Sequence, residues 1–284
     1  SKTNKWVLVI NHLVCDGVSW WILLNDLESC ITSLKNDKEI SLPEKTCSLI
    51  QWRDGLNRFA DSPKMQQQTH YWDEIDLQSG LLINEPKFNQ QVQKTKPVCL
   101  VSRLDENYTG NLLNDIPKSL GVQIQDVILT ALVQALFDHF SALKIKIDIE
   151  GHGREELIEG LNTLRTVGWF TSLYPQLFAR DTLSFDGHDM NRMKQWQRTV
   201  PSNGAAYALR SHQGDNMTPD RTSQVLFNYM GLWEKTLAPD SMFGFNQPIK
   251  ASFGQNNNEY LLECNAMIFA KQLEVTFDLD ANSI

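Results

Sequence analysis

The sequence lacks the features that tie a protein to a membrane, to nucleic acid or to a disulfide framework. No apolar run approaches the roughly 18 residues that cross a bilayer. Acidic residues outnumber basic ones, 34 Asp and Glu against 26 Lys and Arg, for a net charge of −8, whereas a face that binds nucleic acid is usually basic. We therefore expect neither a membrane nor nucleic acid among its partners.

Cysteines are few and scattered. The five stand at positions 15, 30, 47, 99 and 264, and no two form a CxxC pair. An odd number without metal-type spacing indicates reduced, mostly buried thiols in a cytoplasmic protein, and it predicts no metal site.

What the sequence has is enough apolar residues for a large core, 42% of 284 residues, which allows one large domain or two lobes. Apolar periodicity predicts helices over 18–34, 48–59, 63–75, 107–120, 125–140 and 188–198, a short one from 201, and strands over 5–10, 98–104, 144–150, 223–231, 260–269 and 273–279. Helices and strands alternate irregularly, so the predicted class is α/β with a mixed sheet, or α+β. The polar, proline-bounded stretch 84–97 is typical of an exposed loop or crossover.

A histidine follows the first apolar run directly. Residues 5–10, Lys-Trp-Val-Leu-Val-Ile, predict a buried strand, after which come Asn11, His12 and, four residues later, Asp16 before a glycine. A rigid strand end is a suitable place for a general acid or base. The alternative is a half-buried histidine at a strand end, with Asp16 acting only as a turn or helix-cap residue.

A carboxylate ends another strand. Lys144-Ile-Lys-Ile-Asp-Ile-Glu150 alternates strictly, with isoleucines on one face and charged residues on the other. Glu150 then runs into Gly-His-Gly-Arg-Glu, where two glycines allow a sharp turn. The alternative is a tight polar turn in which Arg154 pairs with a nearby carboxylate.

These stretches occur in the order of a known motif series, that of the epimerization domains of nonribosomal peptide synthetases, which the chain resembles over nearly its whole length. His12 matches the second histidine of His-His-x-x-x-Asp-Gly, and residues 150–155 match Glu-Gly-His-Gly-Arg-Glu. Residues 165–175 match Arg-Thr-Val-Gly-Trp-Phe-Thr-Ser-x-Tyr-Pro, 227–231 resemble Phe-Asn-Tyr-Leu-Gly, and 201–208 match Pro-x-x-Gly-x-Gly-Tyr-Gly loosely.

The chain also departs from that pattern. Asn11 stands in place of the first histidine, Ala206 and Ala208 in place of glycines, and Met230 in place of leucine. By comparison with the family, the opening portion and the last segment are absent, so we expect the chain to be truncated at both ends. The resemblance then implies that 1–90 is the remainder of an N-terminal lobe and 91–284 a C-terminal lobe.

The resemblance implies a two-lobed fold of the chloramphenicol-acetyltransferase type, with an incomplete N-terminal lobe and a tunnel between the lobes. It implies that an upstream peptidyl carrier protein inserts a phosphopantetheine arm bearing an aminoacyl or peptidyl thioester, whose α-carbon is converted from L to D. The other partners would be neighbouring synthetase domains. No cofactor or metal would be bound by this domain itself.

The resemblance also assigns roles to residues. His12 and Glu150 would share the acid and base work, and Tyr229 would donate a hydrogen bond or relay a proton. Trp169 and Asn228 would line the tunnel, although a core tryptophan and a strand-end cap are alternatives.

Three residues are expected to support the site. Asp16 would pair with an arginine and hold the histidine loop, and Asn11 and Arg154 would help to shape the site. His152, between two glycines, is a weaker candidate for chemistry because its motif role is to shape the turn.

Two other functions stay open at this point. A condensation domain that forms peptide bonds would use the same histidine, but it would need neither Glu150 nor the string that follows it. A catalytically inactive remnant that only docks a carrier protein is the other, and Asn11 favours it modestly.

Overall fold

Six strands of the described chain form one mixed sheet with a parallel centre. The computed structural model describes residues 7–78, 80, 98–182, 189–212, 223–232, 241–243 and 260–279. Its strands are β1 (Val98–Leu104), β2 (Lys144–Gly151), β3 (Ser172–Ala179), β4 (Val225–Leu232), β5 (Leu262–Phe269) and β6 (Gln272–Leu279). They lie in the order β1-β6-β5-β4-β2-β3; β2, β4 and β5 are parallel, and the other pairings are antiparallel.

The helices of the described residues are α1 (Gly17–Lys35), α2 (Leu49–Ala60), α3 (Pro63–Asp76), α4 (Glu106–Leu120), α5 (Ile124–His139) and α6 (Asp189–Thr199). Their ends follow local chemistry. Ser48 forms a capping box at α2, and Pro63 occupies the first position of α3, where its missing N–H costs nothing. Gly121 ends α4 with a φ of 63°, a conformation that glycine adopts without strain.

One face of the sheet is buried against helices. Ile145, Ile147 and Ile149 of β2 are fully buried in a core cluster shared with α5 and with alternate residues of β4 and β5. Because side chains alternate along a strand, the residues between them point to the opposite side. We call that side the polar face of the sheet; it bears Glu150 of β2, Asn228 of β4 and Asn265 of β5.

A second apolar cluster attaches the N-terminal helices to the rest of the chain. It is formed by Trp52, Phe59, Ala60, Met65, Leu157, Phe170, Ala206 and Leu209. These residues come from α2, α3, the loop between β2 and β3, and the short turns after α6. The loops of the sequence motifs are therefore held by packing as well as by polar contacts.

Most predicted elements are confirmed to within one or two residues. Two differ. Residues 7–10 are not a buried strand: Val7 and Val9 are 73% and 87% exposed, because none of the described strands pairs with this segment, and an isolated strand leaves its backbone groups unpaired. Residues 172–179 form strand β3, although proline and turn-forming residues in and before it hid its pattern.

Other predictions fall partly outside the described residues. The loop predicted over 84–97 and the lobe boundary at 90/91 lie there, as do the first two residues of the predicted strand over 5–10. The short helix predicted from 201 is a pair of 3₁₀ turns. Of the cysteines, Cys15 and Cys264 are buried and Cys99 is exposed.

Among the described helices none alone has the length and apolarity to cross a membrane; α4 and α5, bent by 99° at their junction, reach that measure only when taken together.

Candidate active site

His12 lies on a short turn at the surface. Residues His12–Val14 form one 3₁₀ turn, and Asn11 caps it: its Oδ1 accepts a hydrogen bond from Leu13 N at 2.9 Å. The imidazole contacts the edge of the Trp169 indole, with ring centroids 5.9 Å apart. Asn11 thus fixes the turn that presents His12, a supporting position like the one predicted for it.

Asp16 and Arg154 form a buried ion pair between the histidine loop and the turn after β2. Arg154 Nη2 donates to both carboxylate oxygens of Asp16, at 2.9 and 3.0 Å, and the two side chains are 2% and 3% exposed, Arg154 being the lower. Asp16 Oδ1 also accepts from Ser19 N at 2.7 Å and caps α1, and Oδ2 accepts from Phe170 N at 3.1 Å. The sequence predicted an arginine partner for Asp16, and the structure identifies it as Arg154.

The remaining contacts of Arg154 extend the network to a third motif. Its Nη1 donates to the backbone oxygens of Thr163 and Thr166, at 2.6 and 2.8 Å. The guanidinium lies 4.2 Å from the centre of the Phe170 ring. Three stretches that are distant in sequence are therefore joined at one buried arginine.

Glu150 lies half-buried at the end of β2, on the polar face, and lines a cavity of about 650 Å³. The cavity has mostly apolar walls, which include Trp52, Leu56, Trp169, Phe170, Tyr174, Leu209 and Leu226. Burial raises the pKa of the Glu150 carboxyl above its ordinary value; His12 lowers this pKa and Glu263 raises it. His12 and Glu150 therefore lie within electrostatic reach of each other, and Trp169 contacts the first and lines the cavity of the second.

Asn228 and Tyr229 occupy opposite faces of β4. Asn228 pairs in register with Glu150 and shares the polar face with it. Tyr229, one residue on, packs half-buried against the core cluster, and burial raises the pKa of its phenol to about 12. The hydrogen bond or proton relay predicted for Tyr229 stays a prediction, and of the two residues Asn228 is the one on the side of Glu150.

The far end of the cavity carries buried charges. Lys146 and Asp148 are 1% and 5% exposed and share the polar face with Glu150. Asp148 Oδ2 accepts from the Tyr260 hydroxyl at 2.7 Å, and burial lowers the pKa of Lys146 while Asp76 and Asp148 raise it. Strand alternation predicted the direction of these side chains but not their burial, which depends on segments distant in sequence.

His152 shapes its turn. Its Nδ1 accepts a hydrogen bond from Arg154 N at 3.0 Å, and its side chain is largely exposed. Within the ranges that the structure describes, no three His, Cys, Asp or Glu side chains come together as a metal site would require.

Reasoning from sequence missed two residues of the polar face, Glu263 and Asn265 on β5. The alternating pattern of the predicted strand over 260–269 contained the signal. Leu262, Cys264 and Ala266 face the core, so the two residues between them must face the other way.

The fold and site together define a class of protein: a mixed α/β domain in which a loop histidine and a cavity-lining carboxylate are placed for proton transfer. The comparisons give the family. The family model described as "Condensation domain" matches residues 1–282, and the chain belongs to this family. It shares the chloramphenicol-acetyltransferase-like fold of condensation and epimerization domains.

Its relatives are large synthetases. The chain is 34% identical to a linear gramicidin synthase of Brevibacillus parabrevis over 293 residues, which is 99% of this chain and 4% of that protein. It is 31% identical to gramicidin S synthase 1 of Brevibacillus brevis, covering 95% of this chain and 26% of that protein. It therefore corresponds to a small part of each relative.

Solved structures resemble it over most of its length. The epimerization domain from the third module of tyrocidine synthetase B has a TM-score of 0.79 and 28% identity, covering 95% of this chain and 62% of that one. The first condensation domain of the CDA synthetase has a TM-score of 0.60 and 14% identity, covering 97% and 57%. The second likeness shows the fold alone.

Proposed function

We propose that this domain inverts the α-carbon of an aminoacyl or peptidyl thioester during nonribosomal peptide synthesis. The substrate is tethered to the phosphopantetheine arm of an upstream peptidyl carrier protein, and the domain binds no cofactor of its own. It works beside neighbouring synthetase domains in the cytoplasm. The observation that carries the proposal is Glu150, half-buried in a largely apolar cavity and in electrostatic reach of His12.

Inversion of an α-carbon requires a base on one side and an acid on the other. An ordinary glutamate, with a pKa of about 4.3, is a weak base at neutral pH. Burial raises the pKa of Glu150, which strengthens it as a base and allows it to return a proton in the opposite direction. One of the pair removes the α-proton, the bonding electrons pass to the thioester oxygen, and the other protonates the opposite face of the enolate.

The enolate oxygen also needs a hydrogen-bond donor. Asn228 supplies a neutral N–H donor on the same face as Glu150 and in register with it. A residue with no charge stabilises the developing negative oxygen without competing for the transferred proton. In this proposal Asn228 takes that part, and Trp169 closes the wall between the cavity and His12.

Exchange of the α-hydrogen tests the proposal. The synthetase containing this domain is loaded with an L-aminoacyl thioester on its carrier protein in deuterated buffer, and deuterium uptake is followed together with the D/L ratio. Since general acid–base catalysis contributes on the order of 10²–10⁴-fold, Glu150→Gln and His12→Ala should each slow uptake by about that factor. Glu150→Gln with full activity would contradict the assignment.

The same experiment separates two other functions. The family model is that of condensation domains, and a peptide-bond-forming domain would keep making peptide bonds after Glu150→Gln while showing no α-exchange. A carrier-docking domain without chemistry would bind the loaded carrier and show no exchange in the wild type.

A further inference from the structure

Glu150, Asn228 and Asn265 stand side by side on three neighbouring parallel strands. The register pairs Glu150 with Asn228, and Asn228 with Asn265. Because neighbouring strands lie about 4.8 Å apart, the row places one amide side chain next to the carboxylate and a second at about twice that spacing. All three residues are half-buried.

The two amide groups of this row are not used by the protein. Among the residues that the structure describes, neither the Asn228 nor the Asn265 side chain forms a hydrogen bond. A half-buried amide without a partner is unfavourable, and such groups are usually satisfied. On the other side of β5, Cys264 and Ala266 pack in the core, so the burial of Asn265 serves no core packing.

We infer that Asn265 is a further substrate-binding residue, which together with Asn228 binds a secondary amide of the tethered substrate beyond Glu150. An asparagine side chain offers one acceptor oxygen and two N–H donors, the groups that complement an amide. The inference rests on the proposed function and adds a part of the substrate to it.

Distance decides that this amide is not the reacting group itself. The nitrogen and the thioester carbon are bonded directly to the α-carbon, so their reach ends near Asn228 when the α-proton is at Glu150. A group at Asn265, about 10 Å across the sheet, belongs to an extension of the substrate. Two sources share that chemistry: the peptide bond that precedes the reacting residue, and an amide of the phosphopantetheine arm.

The test uses Asn265→Ala and Asn265→Asp in the synthetase that contains this domain. Met267→Leu is the matched control, because Met267 lies on the same strand and face, two residues further on, and the change removes no amide. Four substrates are compared: an L-aminoacyl and an L,L-dipeptidyl group, each as the carrier-bound thioester and as an ethyl thioester without the arm. Initial rates of α-deuterium uptake give KM and kcat.

Loss of a neutral hydrogen bond to Asn265 should raise KM about five- to tenfold with little change in kcat, and Met267→Leu should change neither by more than about twofold. A loss confined to both dipeptidyl substrates identifies the peptide bond. A loss confined to both carrier-bound substrates identifies the arm. Unchanged KM for all four substrates, or an equal loss in Met267→Leu, would overturn the inference.

A binding measurement keeps this result separate from the fate of the proposed function. A stable carrier protein bearing the dipeptidyl group through an amide in place of the thioester is titrated into each variant by calorimetry. If the wild type shows no exchange, the proposed function fails, but Asn265 is still decided. About five- to tenfold weaker binding by Asn265→Ala supports its role, and equal binding refutes it.

Discussion

Two polar clusters meet where the histidine loop approaches β2, and their hydrogen-bonding groups are used in opposite ways. In the first, Asp16 and Arg154 are almost completely buried, and every polar atom except Arg154 Nε has a partner. In the second, Glu150, Asn228 and Asn265 are half-buried, and the two amides form no side-chain hydrogen bond among the described residues.

The difference separates support from chemistry. A buried charge pair with its hydrogen bonds satisfied holds one geometry, and removing one partner is far more costly than its net contribution. Groups that must bind a substrate and transfer protons cannot be saturated by the protein. The first cluster therefore fixes the loop that presents His12, and the second stays open beside the cavity.

Removing the carboxylate of the saturated cluster should have the largest effect. Asp16→Ala leaves the Arg154 guanidinium buried without a counter-charge and removes the cap of α1. We expect the free energy of unfolding to fall by about 3–5 kcal/mol, measured by denaturant titration.

The control for this prediction is a more exposed ion pair that also joins α1 to the loop before β3. Asp26 and Arg165 are 27% and 28% exposed, and Asp26→Ala should cost about 1 kcal/mol or less. Similar losses in both variants would show that burial of the Asp16 pair makes no special contribution.

The open cluster should respond in the opposite direction. Burial raises the pKa of Glu150, so between its ordinary and its raised value the folded state binds more protons than the unfolded state. Stability then falls as pH rises through this window, which begins near 4.5. Glu150→Gln removes this penalty, and its Tm relative to the wild type should rise with pH; each kcal/mol corresponds to roughly 2–4 °C at this size.

The exposed Glu39→Gln is the matched variant for that measurement, because Glu39 lies in an exposed loop. Its Tm difference from the wild type should stay constant across the same pH range. A constant difference for Glu150→Gln as well would mean that the Glu150 carboxyl is not desolvated.

The saturated cluster could be predicted from sequence further than the open one. The motif order identified His12, Asp16, Glu150 and Arg154, and strand alternation fixed the direction of Glu150. The pairing of Asp16 with Arg154 could not be read, because it joins residues 138 positions apart. Contacts of that separation depend on tertiary packing, which local patterns do not encode.

The open cluster needed the register of the sheet. Alternation alone shows that Asn228 and Tyr229 face opposite ways, but only the pairing of β2 with β4 shows that Asn228 is the one beside Glu150. Likewise the strand over 260–269 was predicted, yet Glu263 and Asn265 gained meaning only when β5 was placed next to β4. The failure at 7–10 has the same origin, since an apolar run is a strand only where a neighbouring strand pairs with it.

The smallest predicted effect concerns Glu263 and sharpens the electrostatic side of the comparison. Its negative charge raises the pKa of Glu150, so Glu263→Gln should lower that pKa. If Glu150 acts as the base in its ionised form, the acidic limb of the rate–pH profile for α-deuterium uptake should move to lower pH, with little change in the plateau. Glu274→Gln, on the same face but one strand further away and paired with Arg103, should leave the limb in place because the added distance weakens the interaction. A limb that moves equally in both variants would attribute the shift to general surface charge instead of to the neighbour of Glu150.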